Sequence, residues 1–300
     1  VNYILSKLTG YLRLMRPANI LTAITDIMAG IAIAGFLAHG LTDVQAVLQV
    51  TCLAIATIGL YGGGVVFNDI FDASLDRIER PERPIPSGII SKTEAVVLGV
   101  YLLLLGVLAA FTVGELSGFI AIGIAVAALV YNKWGKHHKV LGPFNMGLCR
   151  GLNLLLGISI VPASLPHYGW LAVVPVLYIA SITMISRDEV HGGKKRTLVM
   201  AAIGYAIVCA LILWQGFMKG EALKVGFYLV ILLYLILTPL FKAMKEPTGP
   251  NIGKAVKGGI IGLIVMNAAW VAAFAIFPYP LAVLAFLPLS MLLSKAFAVT

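Results

Sequence analysis

Apolar residues run through this chain in long blocks, not in alternation. Ten blocks stand out, at 17–38, 45–67, 94–113, 117–132, 143–162, 168–186, 197–217, 225–243, 258–277 and 280–297. Each comes close to the roughly 20 residues that a helix needs to cross the hydrocarbon of a bilayer. The period-two alternation of a barrel strand is missing within them, so each is read as a helix. Helices also satisfy their own backbone groups, as the lipid interior requires. The links Gly114-Glu115-Leu116-Ser117-Gly118 and Phe277-Pro278-Tyr279-Pro280 read as tight turns between neighbours. The tenth block is the weakest, since Pro288 interrupts it and Lys295 stands near its end. Val1 to Gly10 carry no apolar core of the kind a cleavable signal has.

Composition agrees with the pattern. The chain of 300 residues is 60% hydrophobic, and its mean hydropathy is +0.98. The net charge of +9 is a matter of placement. Most of the 22 Lys and Arg fall before the first block and in the even-numbered loops, among them Arg16, Arg83, Lys136 and Lys194. The odd loops hold only Lys219 and Lys224. By the positive-inside rule the N-terminus and the even loops are cytoplasmic. The charge is therefore read as topology and attraction to anionic membrane lipid, not as nucleic-acid binding. Cys52, Cys149 and Cys209 all lie in apolar blocks without metal-ligand spacing and are read as small buried hydrophobes.

Against this background the acidic residues are concentrated. Asp69, Asp72, Asp76, Glu79 and Glu82 follow the second block in one short stretch. Residues three and four apart share a helix face, so Asp69, Asp72 and Asp76 form one acidic stripe. Asn68 stands at its edge, and Tyr61-Gly62-Gly63-Gly64 precedes it, letting a helix or a ligand approach the backbone. Hard carboxylate oxygens suit Mg²⁺, which takes a few carboxylates together with substrate phosphate. A diphosphate is the natural partner, and a bound Mg²⁺ would stabilise it as it departs. In the proline-rich loop Arg80-Pro81-Glu82-Arg83-Pro84-Ile85-Pro86-Ser87-Gly88, Arg83 has the fork geometry for phosphate oxygens.

Arg16-Pro17-x-Asn19, Asn68-Asp69-x-x-Asp72-x-x-x-Asp76 and Arg83-Pro84-x-Pro86-Ser87-Gly88, in this order and with this number of spans, resemble the UbiA superfamily of intramembrane prenyltransferases. The resemblance covers most of the chain and implies one UbiA-like domain over 1–300. The fold it implies is an all-α polytopic membrane bundle of nine to ten spans, with a central cavity open to the cytoplasmic side and to lipid. The activity it implies is Mg²⁺-dependent transfer of a prenyl group from a prenyl diphosphate donor to an acceptor that these residues do not identify.

The family's second acidic motif follows the sixth span, where this chain reads Ser186-Arg187-Asp188-Glu189-Val190-His191-Gly192-Gly193-Lys194-Lys195-Arg196-Thr197. The start and end resemble the family, but the distal Asp is missing. This form looks like the EboC branch. Asp188 is the remaining metal ligand to expect, with Glu189 beside it on a different helix face. His191 is a ligand, a hydrogen-bond donor, a base or an ordinary loop residue. Lys194 is a phosphate contact or a topology charge.

Tyr131-Asn132-Lys133-Trp134-Gly135-Lys136 resembles the family's Tyr-to-Lys segment, which implies Tyr131 on the diphosphate or beside the reacting carbon and Lys136 on phosphate; an interface aromatic and an inside-facing anchor are the alternatives. Asn145 and Arg150 are polar positions in an apolar helix. An Arg inside a span faces a bundle interior or water; a structural pair with Asp26 and a contact to diphosphate are both open. Two competing readings have their own signatures. A CDP-alcohol phosphotransferase needs a Gly and an Ala-Arg pair where this chain has Ala73-Ser74-Leu75 between Asp72 and Asp76. A UbiA-like lipid or metabolite carrier without catalysis would spread its carboxylates near mid-bilayer, whereas here they gather at one boundary.

Overall fold

A computed structural model of the chain describes residues 2–38, 40–41, 43–138, 140–187 and 195–297. Among these residues the fold is helical throughout. Its helices are α1 (Asn2–Met15), α2 (Pro17–Ile33), α3 (Val44–Glu79), α4 (Lys92–Val113), α5 (Glu115–Lys133) and α6 (Leu141–Ile158). After a short turn α7 (Leu165–Tyr168) come α8 (Val173–Ser186), α9 (Lys195–Met218), α10 (Ala222–Lys245), α11 (Gly249–Phe274), α12 (Tyr279–Leu284) and α13 (Phe286–Ala296).

Each of the ten apolar blocks finds a helical body. Eight are long and apolar enough to cross a membrane, while α2 is a shorter apolar helix of 17 residues. The sixth span is built from pieces, Pro162–Ser186, and the last, Tyr279–Ala296, is broken at Ala285. Pro288 lies in the first turn of α13, where a missing N–H leaves no ladder bond broken. α1 was not among the predicted spans. It is amphipathic, with Ile4, Leu5 and Leu8 exposed, and it is tied to the start of α4 by an ion pair between Lys7 and Glu94.

Local chemistry sets the helix limits. Asp43 caps α3 by accepting from Ala46 N at 2.7 Å. Ser91 and Glu94 form a capping box at the start of α4. With 36 residues, α3 is about 54 Å long, well beyond the ~30 Å hydrocarbon core. Its last turns, which carry the acidic stripe, therefore continue past the apolar slab as unbroken helix.

α11 is the innermost helix: 78% of its apolar window is enclosed, against 22% for the outer α4. It packs on α2, α8 and α10, while α2 and α6 cross next to it. That crossing is close because Gly30 and Gly157 meet. A Cβ on Gly30 would lie 2.3 Å from Leu154 O, and one on Gly157 would lie 2.5 Å from Ile27 O. Small residues at such crossings let helix backbones approach in lipid. The contact brings Asp26 of α2 beside Arg150 of α6.

Candidate active site

Three cations converge on the acidic stripe of α3, each from a different segment. Arg16 sits between α1 and α2 in the left-handed region, at φ 52°. A following proline already disfavours the helical region there, and such backbone in a non-glycine residue costs of order 1–3 kcal/mol. The strained turn delivers its guanidinium to Asp69 Oδ1 at 2.6 Å.

Arg83 comes from the proline-rich loop. That loop folds back through Ser87 N to Arg83 O (2.9 Å) and Ile90 N to Pro84 O (3.0 Å). Ile85 and Ile90 anchor it in a small apolar cluster with Leu14, Val66 and Ile70. So held, Arg83 is buried and donates to Asp76 Oδ2 at 2.8 Å and to Asp69 Oδ1 at 3.4 Å. Lys136, from a 3₁₀ turn after α5, forms an ion pair with Asp72.

The three aspartates thus each hold a basic partner, and among the described residues no group of three His, Cys, Asp or Glu is gathered closely enough to hold a metal. Asp69 and Asp76 share Arg83, while Asp72, one turn on from Asp69, turns to Lys136.

The other site residues divide into two groups. Asn19, Asn68, Tyr131 and Arg150 line a cavity of about 310 Å³, as does Arg16. Arg16 is thus a wall of the cavity and the partner of Asp69 at once. Asn68 is steadied by Asn132, which accepts from it at 3.1 Å and itself donates to Gly64 O at 2.7 Å. Gly64 also lines the cavity, and a Cβ there would meet Ala128 of α5 at 3.2 Å. The glycine run therefore serves close approach, as its sequence suggests.

Arg83, Lys136 and Asn145 do not line this cavity. Asn145 faces α5 instead: with its amide turned to match its neighbours, its nitrogen donates to Ala127 O and its oxygen accepts from Tyr131 N at 3.2 Å each. Arg150 is buried, with Asp26 Oδ2 and Thr22 Oγ1 both at 2.6 Å. Of the two alternatives left open for Arg150, the pair with Asp26 is the one formed, and Arg150 is also a lining residue of the cavity. The rest of the lining is largely apolar, including Ile124, Ile179, Ile182 and Leu263.

Asp188, Glu189, His191 and Lys194 lie outside the described residues. The residue before them is placed: Arg187 donates to Lys136 O at 3.0 Å and to His138 O at 2.9 Å. The start of the second motif is thereby stapled to the turn that holds Asp72. His138 Nδ1 accepts from Leu141 N at 3.1 Å at the start of α6.

Sequence reasoning passed over four residues of this arrangement. Arg16 reads from sequence only as a motif residue and a topology charge, and nothing marks Asn132 beside Tyr131. Asn153 follows Arg150 by one helical turn on the same face, a spacing that could have found it. Thr57 had no signal at all.

Comparison with known proteins agrees with the fold. Residues 27–257 match the UbiA prenyltransferase family. The digeranylgeranylglyceryl phosphate synthase of Ignicoccus hospitalis is 30% identical over 224 residues, 69% of this chain and 69% of that protein. The enzyme of the same name from Methanosarcina mazei is 32% identical over 186 residues, 60% of this chain and 63% of its own length. A solved UbiA homologue from Archaeoglobus fulgidus, bound to GPP and Mg²⁺, superposes with a TM-score of 0.68 at 19% identity, over 92% of this chain and 99% of that one. With the match running through most of the bundle and both sides of its cavity, this chain is an integral membrane protein belonging to the UbiA prenyltransferase family.

Proposed function

We propose that this protein moves a prenyl group from a prenyl diphosphate to a lipid-soluble acceptor, with the diphosphate held at the acidic end of the cavity and the prenyl carbons among its apolar walls. The observation that carries this reading is Arg16, which joins the cavity wall to the aspartate stripe. The whole chain acts as one unit, and the basic ends of its spans put the acidic loops on the cytoplasmic side.

Mg²⁺ fits the donor set. It needs only one or two carboxylates when waters and phosphate oxygens complete its shell, and Asp72, the most accessible of the three aspartates, is a hard oxygen donor one turn from Asp69. These two would hold the ion, with Asp188 of the second motif as a further ligand. Bound there, Mg²⁺ supplies neutralisation of the charge that gathers on the departing diphosphate.

The chain's own residues do the rest. Arg16, Arg83 and Lys136 bring positive charge to the place where the C1–O bond breaks and its electron pair stays on diphosphate, the kind of preorganised electrostatic help that dominates many catalysed reactions. Asn19, Asn68 and Tyr131 position the head group and the reacting carbon. Apolar walls keep water from the allylic carbon while the acceptor oxygen bonds to C1 and gives up its proton to the released diphosphate. The relatives' names make a geranylgeranylglyceryl phosphate the first acceptor to assay.

The test mixes purified protein with Mg²⁺, geranylgeranyl diphosphate and that acceptor, and measures diphosphate released. Wild type should release it, chelation should stop it, and Asp72→Ala should abolish it in a folded protein. Normal turnover by Asp72→Ala would refute the role of Asp72. Donor that returns intact under every acceptor would favour a carrier.

A further inference from the structure

α1 has three faces, and only one of them rests on the bundle. At about 100° per residue, Lys7, Gly10, Tyr11 and Leu14 share one side of it. Lys7 pairs with Glu94, and the Tyr11 hydroxyl donates to the same carboxylate at 3.4 Å. Leu14 is buried with Val66, Ile70 and Ile90. A Cβ on Gly10 would lie 2.9 Å from Ile89 Cγ2 and 3.0 Å from Ile90 Cγ1. Ile4, Leu5, Leu8 and Leu12 make up a second, apolar side, and the first three are 73%, 61% and 55% exposed. Ser6, Thr9 and Arg13 make up the third, polar side. Each side takes about a third of the circumference. A helix on the surface of a soluble domain needs only two, one for the core and one for water. A contiguous exposed apolar side marks a contact.

The position of α1 says with what. Lys7 and Tyr11, one turn apart, both reach Glu94, the third residue of α4. The middle of α1 therefore lies over the first turn of a membrane span. Val97, Val100 and Tyr101, the next outward residues of that span, are exposed as lipid-facing side chains are. A helix at this depth has the bundle beside it, acyl chains beneath it and water above it: three environments for three faces. We infer that α1 is an interfacial helix, bedded through Ile4, Leu5, Leu8 and Leu12 in the leaflet on the side of the acidic loops, and that this bed steadies the arginines on Asp69. α1 passes into α2 through Arg16 alone, and Arg16 holds Asp69. Gly10 and Leu14 press on the Ile85–Ile90 segment of the loop that presents Arg83, the other partner of Asp69. Lifting α1 out of the leaflet would loosen both arginines at once. The link to turnover rests on the prenyl-transfer reading above; the placement of α1 does not.

The experiment uses the full chain in phosphatidylcholine vesicles. A thiol-reactive fluorophore is placed by Leu5→Cys, Leu8→Cys, Ser6→Cys or Thr9→Cys, and the unsubstituted protein treated alike gives the background of Cys52, Cys149 and Cys209. The Leu5→Cys and Leu8→Cys labels should lose their emission to nitroxide-bearing lipid and keep it in aqueous iodide; the Ser6→Cys and Thr9→Cys labels should do the reverse. Leu5→Glu/Leu8→Glu charges the bedded side and should lower diphosphate release by about tenfold or more, since small misplacements of charged groups cost that much. Ser6→Glu/Thr9→Glu adds the same charge on the water side and should keep wild-type turnover. Labels at 5 and 8 reached by iodide would overturn the placement. So would labels hidden from both quenchers, as a second copy or a soluble partner would hide them. Full turnover in a folded Leu5→Glu/Leu8→Glu protein would overturn the link to the arginines; should that variant not fold, Leu5→Ser/Leu8→Ser makes the same test more gently. A wild type that releases no diphosphate would sink the transfer reading and leave the labels to judge α1.

Discussion

Replacing Arg150 by Met should unfold this protein far more readily than its position on a cavity wall suggests. Asp26 is only 1% exposed. In wild type its carboxylate has the Arg150 guanidinium at 2.6 Å and amide donors from Asn267 at 2.7 Å and Asn153 at 3.3 Å. Arg150→Met keeps the two amides and removes the only countercharge the structure gives Asp26 among the described residues. Breaking one side of a buried pair costs about 3–5 kcal/mol. Thr22 Oγ1 loses its donor as well, a further loss of about 1 kcal/mol. At roughly 2–4 °C per kcal/mol for chains of this order of size, the apparent Tm should fall by about 10 °C or more. Heating in detergent followed by size-exclusion recovery of the folded fraction measures it. The decisive comparison is Asp26→Leu/Arg150→Met, which removes both charges and fills their volume. It should recover most of the loss, as apolar replacements of buried pairs do. An Arg150→Met protein melting within about 2 °C of wild type, or a double variant no better than the single, would refute this role of the pair.

Two further outcomes follow from backbone geometry. Arg16→Gly relieves the left-handed φ of 52° and should be more stable than Arg16→Ala by about 1 kcal/mol, while both lose turnover by about 10²-fold because Asp69 loses its cavity-side partner; paired melting curves and a diphosphate-release assay separate the two effects. Gly30→Ala places a Cβ against Leu154 O and the Gly157 backbone, neither of which can rotate away, and should cost about 1–3 kcal/mol, whereas Gly123→Ala, whose nearest neighbour is Leu152 Cδ1 at 4.0 Å, should melt with wild type.

The bundle was legible because membrane spans are announced by length and apolarity alone. Every predicted block became a helix, and even the broken tenth was foreshadowed by Pro288. The acidic stripe was legible for a related reason: three carboxylates at helical spacing beside an apolar run repel one another unless positive charge gathers on them. Its partners were not. Arg16 meets Asp69 across 53 residues of sequence, and Lys136 meets Asp72 across 64. Such pairings depend on how helices cross, and no periodicity encodes that. The left-handed turn at Arg16 was hidden because arginine rarely adopts it and a following proline argues against it. Arg150 stood out as an intramembrane charge with Asp26 as one of two candidate partners, and the choice between them depends on a helix crossing that two facing glycines permit. α1 escaped because an amphipathic helix with exposed Ile4, Leu5 and Leu8 need not be apolar on all sides.

The staple between Arg187 and the turn after α5 ends on main-chain oxygens, those of Lys136 and His138. Every amino acid carries that atom, so an alanine scan of the receiving turn would leave the staple untouched and report it as dispensable. Only replacement of the donor exposes it. Arg187 and the turn that pairs Asp72 are therefore joined by a tether that drift in the receiving turn cannot erase but that one change at position 187 can.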